Sequence, residues 1–227
     1  MSGGLKLVIF DVDGTLVDSQ ADILSAMSAA FETAGRPVPA RAEILGIVGL
    51  SLDRAMERLA PDADAGTRAG MVDAYKDAYV DIRARVGAAQ SSPLYPGALD
   101  VLENLHRSPD VLLGVATGKS KRGLDKLIEA HGLERFFVTR QVADFHPSKP
   151  HPSMVLQAMA DAGTGADATV MVGDTSFDME MAQAAGVGAL GVSWGYHPVD
   201  RLVAAHRVLD DFAALPGAVA EMWESRR

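Results

Sequence analysis

The apolar run Leu5, Leu7, Val8, Ile9 and Phe10 stops at two acids spaced one apart, Asp11 and Asp13, with Gly14 directly behind them. A branched apolar segment of this length, lacking polar alternation, predicts a strand covered on both faces, which is the habit of parallel sheets flanked by helices. The carboxyl ends of the strands in such a sheet form the edge at which ligands bind. Gly14 permits the tight turn that lets Asp11 and Asp13 converge on that edge. Two carboxylates this close need a cation between them or a shared proton. A calcium loop of the EF-hand type is excluded, because the sixth position from Asp11 is Leu16 rather than glycine and the twelfth is Asp22 rather than glutamate.

The chain behind this strand changes periodicity twice. Ile23, Leu24, Met27, Ala30 and Phe31 recur at helical spacing after Asp18 and Ser19, which offer N-cap chemistry, and Gly35 ends the run. From Pro37 to Tyr95 the pattern predicts helices over Ala40–Val48, Ser51–Ala60 and Asp64–Val86 and no convincing strand, so residues 17–95 read as a helical insert. From Pro96 onward strand and helix alternate. Strands are expected at Val111–Ala116, Phe136–Thr139, Thr169–Val172 and Ala189–Ser193, and helices at Ala98–Arg107, Ser120–His131, Ser153–Ala162 and Phe177–Ala185. The fold class is therefore α/β: a parallel-sheet core built from residues 1–16 and 96–227, with a small all-helical domain, 17–95, inserted in it.

Composition removes several function classes. The chain of 227 residues is 48% apolar with a formal net charge of −9, so it reads as a soluble protein without the clustered cations a nucleic-acid surface needs. It has no cysteine, which excludes disulfides, thiolate metal sites and a cysteine nucleophile. Met1 to Gly4 does not resemble a secretory leader and no apolar run reaches membrane-spanning length, so a cytoplasmic protein without membrane partners is expected. The six histidines lack metal-ligand spacing.

Chemically suggestive residues fall at the exits of four apolar runs or in the loops behind them: Asp11 and Asp13; Thr117 with Gly118; Lys149 with Pro150; Gly173 with Asp174 and Asp178. The topology of a parallel sheet brings all four to one crevice. The fragments Asp-Val-Asp-Gly-Thr-Leu-Val-Asp-Ser, Val-Ala-Thr-Gly-Lys, Ser-Lys-Pro-His-Pro and Val-Gly-Asp-Thr-Ser-Phe-Asp, in this order, resemble the motifs of the haloacid dehalogenase-like hydrolases. The helical insert looks like the cap of the subfamily that contains phosphoglycolate phosphatases. The resemblance implies a Rossmann-like core whose active edge the cap closes.

Phosphoryl transfer needs an in-line nucleophile, a cation to offset phosphate charge and fixed donors for the equatorial oxygens. On this reading Asp11 is the nucleophile, and Asp13 protonates the leaving alcohol and then activates water. Magnesium binds the Asp11 carboxylate, the Asp13 backbone carbonyl and Asp174, while Asp178 orients a metal-bound water or Lys149. Thr117 and the Gly118 amide donate to the phosphoryl oxygens, and Lys149 holds Asp11 ionised. Lys119 matches a basic position of the family and is a candidate substrate contact. Two positions depart from the family pattern: Gly118 stands where many relatives carry Asn, and Ser153 where an Asp often follows.

The second acid, Asp13, favours phosphatase over dehalogenase chemistry, which needs no leaving-group proton. The insert contains no histidine of the kind hexose-phosphate mutases use, leaving a mutase as the alternative reading, and its one lysine, Lys76, falls within a long helix, against a Schiff-base phosphonatase. A catalytically silent binding relative is disfavoured because every reactive position is filled. The expected partner is a small phosphorylated metabolite, with the protein a monomer or homodimer. Within the insert Arg54 is expected to bind a second anionic group of the substrate, with Arg58 one turn later.

Overall fold

The computed structural model describes residues 4–226, so the reading of Met1 to Gly4 falls, Gly4 apart, outside the described residues. Six strands form one parallel sheet: β1 (Lys6–Phe10), β2 (Val111–Thr117), β3 (Phe137–Val142), β4 (Thr169–Gly173), β5 (Gly188–Val192) and β6 (Arg207–Leu209), in the order β3-β2-β1-β4-β5-β6. The strand that opens the chain is thus central. Leu7 and Ile9 pack on one face against α8 (Ser153–Ala162) and α9 (Ser176–Ala185). Val8 and Phe10 pack on the other against α6 (Ala98–His106), α7 (Lys121–His131) and α10 (Leu215–Ser225). This two-sided burial is why the strand carries no polar alternation.

Register sets the active edge. Phe10 lies opposite both Val115 and Val172, and the Asp11 amide donates to the Val172 carbonyl at 2.9 Å. Asp11, Thr117 and Asp174 therefore leave the sheet on the same side. Gly14, at φ +85°, turns the chain there, and its amide donates to the Val17 carbonyl at 2.9 Å.

Between β1 and α6 lie α1 (Gln20–Thr33), α2 (Arg41–Leu45), α3 (Leu52–Leu59), α4 (Ala65–Val86) and α5 (Ala88–Ser91). They share an apolar core of their own, including Met27, Phe31, Met56 and Met71, that one residue of α9, Phe177, enters from the sheet domain. The two connections run side by side: the Asp18 amide donates to the Pro93 carbonyl at 2.9 Å and the Tyr95 amide to the Leu16 carbonyl at 3.0 Å.

Three differences from the sequence reading have physical reasons. The helix expected at Ala40–Val48 shrinks to α2, stopping where the Gly46–Gly49 stretch begins. Ser19 stands at the N-cap position of α1 without capping it, because its hydroxyl is committed elsewhere. The strand β6 and helix α10 lie beyond the last element expected, Ala189–Ser193; β6 has three residues, too few to show a period, and Pro216 sits in the first turn of α10, where its missing amide costs nothing.

Candidate active site

A cavity of about 740 Å³ lies between the sheet edge and the helical insert, lined on the sheet side by Asp11, Asp13, Thr117, Gly118 and Lys119. Lys149, Asp174 and Asp178 are fully buried and do not line the cavity; together with Asp11 they form an ionic cluster. The Lys149 ammonium donates to Asp11 Oδ1 at 2.8 Å and to Asp178 Oδ1 at 2.6 Å. The other oxygen of Asp178 accepts from the Thr175 amide at 3.0 Å and hydroxyl at 2.7 Å, closing a capping box at the start of α9. One carboxylate thus serves both as helix cap and as anchor for Lys149.

Asp174 is held by Thr15 Oγ1, which donates to Oδ1 at 2.9 Å, and by the Tyr196 amide, which donates to Oδ2 at 2.8 Å. Gly14 and Gly195 flank it so closely that a Cβ on either would overlap its side chain. Carboxylate oxygens of Asp11, Asp174 and Asp178 lie within 4.8 Å of one another. These three acids face one ammonium, so two negative charges are left without a partner when all are ionised, the charge one divalent ion neutralises.

Burial pushes Asp11 up to about 7, with Asp178 and Asp13 adding to the rise and Lys149 opposing it. Desolvation thus outweighs the Lys149 ammonium, which was expected to hold Asp11 ionised. Burial likewise raises Asp174 well above the usual carboxylate range, Asp11 and Asp178 adding to it. For Lys149, burial works against the charged form but Asp11 and Asp178 more than offset it and raise the ammonium above its ordinary range.

The donor set fits magnesium. It is all oxygen, as a hard cation requires, and Asp11 Oδ2 is buried without any hydrogen-bond partner. Asp178 has both oxygens occupied by protein donors, in keeping with the expected role of orienting Lys149.

Asp13 has its own neighbours. Ser19 Oγ donates to Asp13 Oδ1, and the Tyr196 hydroxyl lies 3.2 Å from Ser19 Oγ. Lys119 reaches the same Asp13 oxygen at 2.8 Å and the Tyr79 hydroxyl at 3.2 Å. Burial alone would lower the Lys119 ammonium, yet Asp13 and Tyr79 leave it raised.

Arg54 is corrected. Its side chain is two-thirds exposed, pairs with Glu57 at 2.5 Å and does not line the cavity. Arg58 lies over the Phe177 ring at 5.1 Å, again outside the cavity. Of the insert's arginines, the one that lines the cavity is Arg83, which stacks on Tyr79 at 4.8 Å and donates to the Gly123 carbonyl of α7 at 3.3 Å. Tyr75, Tyr79 and Arg83 are spaced by four along α4 and so form one stripe, a signal legible in the sequence. Thr15, Ser19 and Tyr196 carried no comparable signal.

The insert is tied to the sheet domain near this cavity. The Ser51 amide donates to Ser148 Oγ at 2.8 Å, and His197 Nε2 lies 3.2 Å from the Gly46 carbonyl. Burial lowers His197 to about 4, so it is neutral near pH 7, with Nδ1 accepting from the Ser176 amide and Nε2 donating to Gly46.

The family model described as haloacid dehalogenase-like hydrolase matches residues 8–192. The chain belongs to that family. A protein named probable phosphatase IndB from Dickeya dadantii is 38% identical over 93% of this chain and 92% of its own length. A phosphoglycolate phosphatase from Agrobacterium fabrum is 31% identical over 97% of this chain and 94% of its own. Among solved structures, a predicted phosphoglycolate phosphatase from Haemophilus somnus superposes with a TM-score of 0.82 at 23% identity, covering 96% of this chain and 99% of that one. A β-phosphoglucomutase from Clostridium difficile reaches the same TM-score, 0.82, at 17% identity over 97% of this chain and 98% of that one, a likeness of fold alone. No helix among the described residues of this haloacid dehalogenase-like hydrolase is long and apolar enough to cross a membrane.

Proposed function

We propose that this hydrolase is a magnesium-dependent phosphatase that cleaves a small phosphomonoester through an aspartyl-phosphate on Asp11. The observation that carries the reading is the cluster of Asp11, Lys149, Asp174 and Asp178 set behind a cavity that Asp11 and Asp13 line. Residues 17–95 act as the cap over that cavity.

Asp11, the Asp13 carbonyl and Asp174 would hold a magnesium ion, which would supply positive charge against the phosphate oxygens and favour the ionised form of Asp11. Asp11 attacks phosphorus, and the bond from phosphorus to the ester oxygen breaks as the Asp13 carboxyl gives that oxygen its proton. Asp13, now a carboxylate, takes a proton from water as the water oxygen attacks the phosphoryl group, and Asp11 leaves as a free carboxylate beside inorganic phosphate. Thr117 and the Gly118 amide, at the start of the loop before α7, donate to the phosphoryl oxygens. Lys149 stabilises the Asp11 carboxylate on each side of the cycle. Lys119 is paired with Asp13 in the ligand-free protein, and an arriving phosphate dianion competes for that ammonium, releasing Asp13 for proton transfer.

Hydrolysis is favoured over the mutase because the insert offers no histidine, although Asp13 has a hydrogen-bonded support suited to either half-reaction. Phosphate release from 2-phosphoglycolate and a panel of small phosphomonoesters, with and without magnesium, tests the reading. Turnover that needs magnesium and vanishes in Asp11→Asn supports it; absence of turnover on every ester, or interconversion of sugar-phosphate isomers, contradicts it.

A further inference from the structure

We infer that the alcohol released by this enzyme carries a planar ring, an inference that rests on the hydrolase reading above and specifies its substrate class. Glycolate has two carbons. The cavity above Asp11 measures about 740 Å³, within the range of roughly 300–1,000 Å³ typical of sites for drug-sized ligands. Part of its lining is aliphatic, made by Ile23, Met27, Val48 and Val72 of the insert, side chains that gain nothing from a carboxylate.

Tyr75 belongs to the same lining. It stacks on Tyr79 with ring centroids 5.8 Å apart and planes inclined by 25°. Tyr79 is engaged on its own account, with the Arg83 guanidinium at 4.8 Å and the Lys119 ammonium at 5.1 Å from its ring. Both rings line the cavity; Tyr79, with two cations against it, holds Tyr75 in place, and Tyr75 is the ring of the pair that offers a ligand a stacking surface. A ring from a ligand extends this stack at little entropic cost, because both tyrosines are already fixed. The remaining cations of the lining, Lys76, Arg122 and Lys126, are exposed at the rim, where they draw in an anion without selecting its leaving group.

The test compares esters whose leaving groups are all primary alcohols and none a phenol, so that intrinsic reactivity does not set the order: benzyl phosphate, cyclohexylmethyl phosphate, hexyl phosphate and 2-phosphoglycolate. With the full-length enzyme and magnesium, kcat/KM for benzyl phosphate is expected to exceed that for each of the others at least tenfold. Tyr75→Ala should remove most of this preference through KM, and Tyr75→Phe should keep it, which separates stacking from a mere loss of packing. Calorimetric binding of benzylphosphonate against phosphonoacetate gives a second readout independent of turnover. Tighter binding of benzylphosphonate with no ester hydrolysed would sink the hydrolase reading and uphold the ring preference. Turnover of 2-phosphoglycolate or hexyl phosphate equal to that of benzyl phosphate, or a preference unmoved by Tyr75→Ala, overturns the inference and leaves the hydrolase reading standing.

Discussion

The backbone carbonyl of Leu50, in the helical insert, occupies the space into which a side chain at Gly118 would grow: a Cβ there would lie 2.5 Å from Leu50 O and 2.8 Å from Gly49 O. The obstruction is backbone, which cannot rotate aside. The glycine that stands where the family pattern often has Asn is thus what lets the insert settle this closely on the loop after β2. Gly118→Asn should push the 49–50 loop outward and misplace the groups around Asp11, and a misplacement near 1 Å costs ~10²-fold in rate. Steady-state kinetics should show that loss in kcat/KM, with melting temperature nearly unchanged because the sheet core is untouched.

Asp13 should depend on its hydroxyl support. Ser19 Oγ donates to Asp13, and Tyr196 contacts Ser19 while its amide holds Asp174, so one residue positions two acids. Ser19→Ala should lower kcat by roughly 10–100-fold, the usual cost of removing a hydrogen bond that orients a site group. The loss should shrink for aryl esters, whose leaving groups need little protonation; an equal loss for alkyl and aryl esters would argue that Ser19 acts elsewhere.

Metal-free protein should lose stability as pH rises, through Asp11. Its folded value is raised from 3.8 to about 7, so below pH 4 both folded and unfolded forms keep the proton and the group contributes nothing. Between pH 4 and 7 the unfolded chain ionises while the folded one holds its proton, and each pH unit costs about 1.4 kcal/mol. Thermal melts in chelator should show this decline relative to Asp11→Asn, whose profile should be flatter. Magnesium at pH 7 should raise the melting temperature of the parent protein far more than that of Asp11→Asn.

Arg54 and Arg83 should part company. Arg54 forms an exposed pair within α3, and such pairs are worth less than about 1 kcal/mol, so Arg54→Ala should leave KM within roughly twofold. Arg83→Ala removes a charged contact at the cavity and the bond to Gly123, and KM should rise about tenfold, the worth of one charge-assisted hydrogen bond. Michaelis curves on the preferred ester decide between them.

Much of this was legible in the residues because parallel sheets translate sequence into position. Asp11, Thr117 and Asp174 each end a run of buried apolar residues, and strand register alone carries them to one edge. Lys149 needed more: it sits in a loop after β3, and its burial between Asp11 and Asp178 is tertiary. Helical faces were harder. Arg54 and Arg83 are both arginines on helices of the insert, and only the packing of α4 over the sheet edge determines which one meets the cavity. Ser19 misled because a serine before a helix usually caps it, whereas here its hydroxyl goes to Asp13. β6 was hidden by its shortness and α10 by its proline.

Rapid acid quench of enzyme mixed with magnesium and its preferred ester, followed by peptide mass spectrometry, tests the covalent role of Asp11 most directly. The account predicts a transient phosphoryl adduct on the peptide containing Asp11, absent from Asp11→Asn and formed as fast as the alcohol is released. Turnover with no adduct on that peptide, or an Asp11→Asn enzyme that still releases phosphate at the parent rate, would contradict it.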